Sequence, residues 1–283
     1  MLNSVTTRVP ATTANLGPGY DCLGIALQLY NRVTVHRPAV GEAAPAAGAM
    51  AEKAAAAFFE TAGLVAFPFA WEISGDVPQS RGLGSSVTVR LGLLHGLNGL
   101  AGSPLNGEQL FELCAKLEGH PDNAAPAAFG GFTVAGGPRL ARFPVSPDLQ
   151  FVLLIPDFEI STPEARKVLP AQLDRLSAVT SCTNACRITA AFASGDYALL
   201  RGAFADGLHQ PFREKLIPFL PAVIAAGEAA GALGGFLSGS GSTICCVTRE
   251  NAGAVGRAMV EASGLAGART IVTHADNEGV RSE

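Results

Sequence analysis

The chain has 283 residues, enough for one large domain or two fused ones with a substantial core. At 48% hydrophobic and 16% charged, its composition is that of a folded globular protein and not of a disordered one. The net charge of −4 leaves no basic surplus to neutralise a nucleic-acid backbone, and every apolar stretch is too short or too broken by Gly and Pro to span a bilayer.

Residues 3–9 carry Val, Thr and Arg and read as a strand, and 10–24, dense in Gly, Asn and Thr, as a loop. Residues 25–36 alternate well enough for a strand or hairpin, and the Pro/Ala/Gly-rich 37–48 form a turn region. An alanine-dominated helix covers 49–61 and ends near Gly63. A strand at 67–74 leads into a Gly/Ser/Pro loop at 75–85. Helices follow at 86–97 and 107–117, then a loop at 119–131 and strands at 132–135 and 151–156. Longer helices are expected at 163–175, 180–193 and 196–207, and Pro-interrupted segments at 211–221. The end of the chain reads as a helix at 221–231, a strand at 243–248, a helix at 251–263 and a strand at 269–273. Strands and helices mix without a regular βαβα rhythm, which favours an α+β class. Pro144-Val-Ser-Pro147 reads as a linker, dividing the chain near 150 into units 1–150 and 151–283. The first ten residues hold no basic segment followed by an apolar run, so a cytoplasmic location is expected. The six cysteines contain no CxxC pair and read as reduced thiols.

The strongest chemical signal is Pro78-Gln-Ser-Arg81-Gly82-Leu83-Gly84-Ser85-Ser86, followed directly by an apolar helix. Gly82 and Gly84 let the backbone approach an anion closely. The unpaired N–H groups at the start of the helix, aided by its dipole, point at that anion. Ser85 and Ser86 add hydroxyls, one of which suits Mg²⁺. No Gly-Lys dipeptide occurs, so this is not a Walker loop, and it lacks the spacing of a Rossmann fingerprint.

Two further segments join it. Pro10-Ala-Thr-Thr-Ala-Asn15-Leu-Gly-Pro-Gly-Tyr-Asp21 resembles the first motif of the GHMP kinases, Gly82 to Ser86 their second, and Leu237-Ser-Gly-Ser-Gly-Ser-Thr243 their third, in matching order and over essentially the whole chain. Within that family, Glu118-Gly-His120-Pro-Asp122-Asn123, Leu208-His209-Gln-Pro-Phe-Arg213 and Thr162-Pro-Glu-Ala-Arg166 resemble the homoserine-phosphorylating branch. The resemblance implies an N-terminal domain like ribosomal protein S5 domain 2 and a ferredoxin-like C-terminal domain, with ATP between them. It also implies dimers, transfer of the ATP γ-phosphoryl to the L-homoserine hydroxyl in threonine biosynthesis, and Mg²⁺ as cofactor.

The same resemblance implies roles. Pro78, Arg81, Gly82, Leu83, Gly84, Ser85 and Ser86 would hold the phosphates. Ser86 and a carboxylate on the following helix would hold Mg²⁺. Glu112 and Glu118 are the two candidates, and they differ by roughly 240° around an ideal helix, so both cannot face one ion. Glu112, eleven residues before Asn123, fits the family spacing and is the one expected. Arg166 and Arg213 would clamp the substrate carboxylate, since a planar guanidinium makes two parallel bonds. Asn15 and Asp21 would accept from its ammonium. Asn123, His120, Asp122 and Thr162 would face the reacting groups, with Asn123 where other family members place an Asp base. No strong protein base is therefore expected, and Asp122 is the challenger. Val87 to Arg90 and Ser242 depart from the family pattern; Arg90 faces either phosphate or solvent, and solvent is the expectation. The alternatives are another GHMP kinase, acting on threonine, a mevalonate-like acid or a sugar, and a catalytically silent binding protein of the same fold.

Overall fold

Two antiparallel sheets organise the computed structural model, which describes residues 2–39, 46–136 and 139–283. The expected turn region at 37–48 lies in part outside the described residues. In the first sheet β1 (Ser4–Ala14) pairs with β2 (Leu23–His36) along its whole length. The loop expected at 10–24 is therefore shorter. The register shifts between Pro10 and Ala11, and a bulge is one of the few places where a strand tolerates a proline without an N–H. The β-branched Thr12 and Thr13 then continue the ladder.

Helix α1 (Ala49–Ala62) ends at Gly63, whose left-handed φ of 64° suits glycine. The strand β3 (Ala70–Gly75) pairs with the far half of β2. Helices α2 (Ser85–Leu100) and α3 (Gly107–Glu118) come next. A capping box between Asn106 and Gln109 starts α3. A short helix, α4 (Ala124–Phe129), stands inside the segment read as a loop, because Pro126 falls in a first turn where its missing N–H costs nothing. Strands β4 (Phe132–Gly136) and β5 (Arg139–Phe143) complete one edge.

The second sheet joins β6 (Gln150–Ile155), β7 (Gly234–Leu237), β8 (Ile244–Thr248) and β9 (Arg269–His274) in the order β7-β8-β6-β9. Between β6 and β7 lie α5 (Thr162–Lys167), α6 (Arg175–Ser194), α7 (Gln210–Arg213) and α8 (Leu220–Ala229). Helix α9 (Ala252–Ser263) connects β8 to β9, so the unit has the ferredoxin-like arrangement of strands and helices. The helix expected at 163–175 stops at Lys167, ahead of Pro170, and that at 196–207 is a single 3₁₀ turn at Tyr197–Leu200, ahead of Gly202 at φ 70°. The chain's last strand, β10 (Arg281–Ser282), returns to the first sheet and pairs with β1. No helix among the described residues is long and apolar enough to cross a membrane.

A core shared by both sheets, with Leu27 and Phe132 from the first and Phe151, Leu153 and Phe236 from the second, binds the two units together. Phe132 on β4 stacks on Phe192 of α6 with ring centroids 4.3 Å apart. Helix α2 lies directly on the first sheet. A Cβ on Gly92 would come within 2.6 Å of the Val33 side chain, and one on Gly96 within 2.4 Å of Val35. The closeness of this contact sets the height at which the start of α2 meets the cleft. Gly96→Val should therefore destabilise the fold by about 1–3 kcal/mol through overpacking. Chemical denaturation measures this, and an unchanged midpoint would show that the helix is free to lift off.

Candidate active site

The cleft between the two units has a volume of about 580 Å³ and is floored by the loop that opens α2. Three glycine- and serine-rich segments interlock to shape it. Thr12 N donates to Leu83 O at 3.1 Å, Gly239 N to Ala14 O at 3.0 Å and Thr243 N to Arg81 O at 3.2 Å. Ser238 bonds Thr13 Oγ1 at 2.8 Å and donates to Gly82 O at 2.6 Å. A Cβ on Gly84, at φ 69°, would fall 2.1 Å from Thr12 Oγ1, so the loop admits only glycine there.

The carbonyls of this loop are thus spent on its neighbours, and its amides are not. None of the backbone N–H groups from Gly82 to Val87 reaches an acceptor among the described residues. Three of them belong to the first turn of a 16-residue helix, where the aligned peptide dipoles favour an anion. Of the residues expected to hold phosphate, Arg81 to Ser86 line the cleft. Pro78 does not; it borders a separate groove beside Ile155–Glu159. The backbone of Arg81 stays at the loop, but its guanidinium turns away, donating to Pro156 O and Gln79 O and pairing with Glu159 at 3.2 Å.

The carboxylate next to Ser86 is Glu118, not Glu112. Ser86 Oγ donates to Glu118 Oε2 at 3.1 Å, and Arg90 pairs with Oε1. Glu112 is exposed on α3 and lies outside the cleft. The spacing to Asn123 misled because the turn between α3 and α4 is short, only Gly119–Asn123, and so brings the last residue of α3 to the site. One signal could have found it. Glu118 occupies the C-terminal turn of its helix, where the dipole disfavours an anion, so a carboxylate there needs a partner. Arg90, expected in solvent, is that partner.

Behind the loop, Asn123 accepts from Thr12 Oγ1 at 2.7 Å through Oδ1, which fixes its amide. Thr12 was not anticipated as a site residue. Asp122 is buried, and its Oδ1 accepts from His120 Nδ1 at 2.7 Å and from Asn123 N at 2.9 Å. Asp21, His120 and Asp122 bring one polar atom each within 4.8 Å of one another on the cleft wall.

Arg166 and Asp21, expected to grip opposite ends of a substrate, grip each other at 2.7 Å across the cleft. Asn15, expected to face a substrate ammonium, is engaged in the fold, with Nδ2 donating to Gly239 O at 2.9 Å and Oδ1 accepting from Asp21 N at 3.0 Å. Arg213 is buried. Its Nε donates to Ala165 O at 3.1 Å and its Nη1 to Gly239 O at 2.8 Å and His209 Nδ1 at 3.2 Å, while Nη2 has no acceptor among the described residues. A guanidinium cannot accept, so His209 Nδ1 is the acceptor and Nε2 carries the proton, donating to Gly17 O at 2.9 Å. Burial, which pushes His209 down to about 4, holds it in this neutral form. Tyr20 lies beneath both cations, 5.4 Å from the Arg213 guanidinium and 5.5 Å from that of Arg166. Thr162, at the first position of α5, lines the opposite wall.

His120 is raised above its ordinary value of 6.5, chiefly by its hydrogen bond to Asp122 and against the effect of burial. The folded protein therefore favours the imidazolium. This stabilisation is complete below pH 6.5 and fades as the pH rises through the raised native value. An NMR titration should place the His120 midpoint above 6.5, and Asp122→Asn should lower it. A midpoint at or below the ordinary value would refute the pairing.

The GHMP kinases N terminal domain model matches residues 49–131, and the GHMP kinases C terminal model matches 188–264. The chain is 43% identical to homoserine kinase of Synechococcus sp. over 92% of both chains, and 40% identical to homoserine kinase of Moorella thermoacetica over 94% of both. Among solved structures, homoserine kinase from Cytophaga hutchinsonii superposes with a TM-score of 0.87 at 27% identity, covering 100% of this chain and 98% of that one. Mevalonate kinase of Methanococcus jannaschii shares the fold, with a TM-score of 0.72 at 14% identity over 95% of this chain and 97% of that one. The two sheets, the open amide array at the start of α2 and these likenesses converge: the chain belongs to the GHMP kinases, in their homoserine kinase family.

Proposed function

We propose that this chain transfers the γ-phosphoryl group of ATP to the side-chain hydroxyl of L-homoserine, giving O-phospho-L-homoserine and ADP. The observation that carries this reading is the free amide array from Gly82 to Val87, open to the same cleft as Asp21, Asn123 and the two arginines. Phosphoryl transfer asks mainly for positioning and charge neutralisation, and those are what these groups supply. The first unit, residues 1–150, carries the phosphate loop. The second, expected at 151–283 but returning its last strand β10 to the first sheet, brings Arg166 and Arg213 to it.

Arg213 Nη2, without an acceptor among the described residues, is suited to a substrate carboxylate, with Arg166 beside it once its pairing with Asp21 yields. Asp21 and Asp122 then offer oxygens to an ammonium. As the hydroxyl oxygen bonds to the γ-phosphorus, the bond to the β–γ bridging oxygen breaks and the hydroxyl proton leaves. Asp122 Oδ1 is already held by three donors from His120 and Asn123, its other oxygen is the one offered to the ammonium, and Asn123 is not basic, so the proton passes to a phosphate oxygen or to water. Ser86 and Glu118 present a hydroxyl and a carboxylate, the hard oxygen donors that Mg²⁺ selects. Bound there, the cation would spread the charge of the β- and γ-phosphates.

A coupled ADP-release assay tests the reading with homoserine against threonine, mevalonate and galactose. Glu118→Gln should lower kcat by about 10²–10³, the range for losing one electrostatic stabiliser, and Glu112→Gln should stay within about twofold. The reverse order would return the cation site to Glu112. Arg213→Lys keeps the charge but loses the fork, and should raise the homoserine KM about 10–100-fold with the ATP KM nearly unchanged. Equal damage to both constants would remove Arg213 from the substrate site. Asp122→Asn should keep turnover within about tenfold; a loss of about four decades would make Asp122 the base.

A further inference from the structure

Arg90 follows Ser86 by one helical turn on α2, so both side chains rise from one face. They meet the same carboxylate from two sides, Arg90 at Oε1 and Ser86 at Oε2 of Glu118. The Glu118 side chain is 9% exposed and that of Arg90 20%. Arg90 is the salt-bridge partner of Glu118 among the described residues. Its side chain does not line the cleft, whereas Ser86, Val89 and Glu118 do. Any influence of Arg90 on the reaction therefore passes through Glu118.

We infer that Arg90 is a positioning residue for the divalent-cation site, an inference that rests on the proposed Mg²⁺-ATP chemistry. A glutamate at the end of a helix has several rotamers and is repelled by the helix C-terminal carbonyls. The guanidinium holds Oε1 and leaves Oε2 beside the Ser86 hydroxyl, so two hard oxygen donors are held side by side. An aliphatic residue at 90 would leave Oε1 unpaired in a nearly buried setting, and the carboxylate would turn toward water. Groups that orient a metal ligand in this way typically change metal affinity 10–100-fold when removed.

The test uses the full chain and a non-hydrolysable ATP analogue, with thermal protection recorded as Mg²⁺ is titrated. In Arg90→Leu the Mg²⁺ half-saturation should rise at least about tenfold, while affinity for the metal-free analogue stays within about twofold. Arg90→Lys should fall between the wild type and Arg90→Leu. In a Glu118→Gln background, Arg90→Lys should change nothing further, since its route is gone. An Mg²⁺ half-saturation in Arg90→Leu or Arg90→Lys equal to the wild type overturns the proposal. So does an equal loss of metal-free analogue binding, which would make Arg90 a phosphate contact. Should Arg90→Leu fail to fold, the lysine variant and its cycle with Glu118→Gln decide alone. A wild type that the analogue does not protect at all sinks the kinase reading itself; protection without any Mg²⁺ dependence sinks only the cation site and this inference with it.

Discussion

The first turn of α2 holds backbone N–H groups that find no acceptor among the described residues, and the rest of the site is arranged around them. Ordinarily a helix start hides such donors with a side-chain cap. Here Gly84 takes the N-cap position with no side-chain bond, at a left-handed φ that keeps the loop clear of the donors. The neighbouring segments bond to the loop's carbonyls, through Thr12 N, Thr243 N and the Ser238 hydroxyl. Rigidity is therefore supplied from one side of the peptide planes and anion affinity is retained on the other.

The same helix links stability to site geometry. Gly92 and Gly96 let α2 lie against Val33 and Val35, and the opposite end of the helix presents Ser86 and Arg90 toward α3. Helix α3 then delivers Glu118 in its final turn, and the short turn Gly119–Asn123 sets Asn123 on Thr12. A chain of close contacts thus runs from the sheet to both sides of the phosphate loop.

On the other wall, charge is controlled by burial. Arg213 is inserted among carbonyls and a neutral histidine, an arrangement that satisfies Nε and Nη1 and keeps Nη2 for another partner. Gln210 serves the same frame, donating to Phe204 O and accepting from Leu237 N. The Leu208–Arg213 segment is thus mostly scaffold for one guanidinium. Arg166 differs. It is part-exposed and paired with Asp21, so it can exchange that partner at modest cost, as exposed ion pairs are weak.

Much of this was written locally in the chain. The alanine-rich α1 with its terminal glycine, the apolar α2 behind a Gly/Ser loop and the three small-residue segments all follow from short-range backbone preferences, which a sequence displays directly. Gly82–Ser86 could be named for the same reason, whereas Asn123 and Arg213 were named from the likeness of their segments to the GHMP kinases. What the sequence alone did not decide were matters of distance between remote segments. Strand β1 continues through Pro10 because its partner β2 supplies a bulge, and the short strand β7 exists because β8 lies beside it. Glu118 rather than Glu112 meets Ser86, Arg90 turns inward, and Asn15 and the Arg81 side chain are spent on the scaffold. Local propensity says whether a residue sits in a helix, a strand or a turn. Which donor meets which acceptor depends on the packing of whole elements, and only the folded chain sets that.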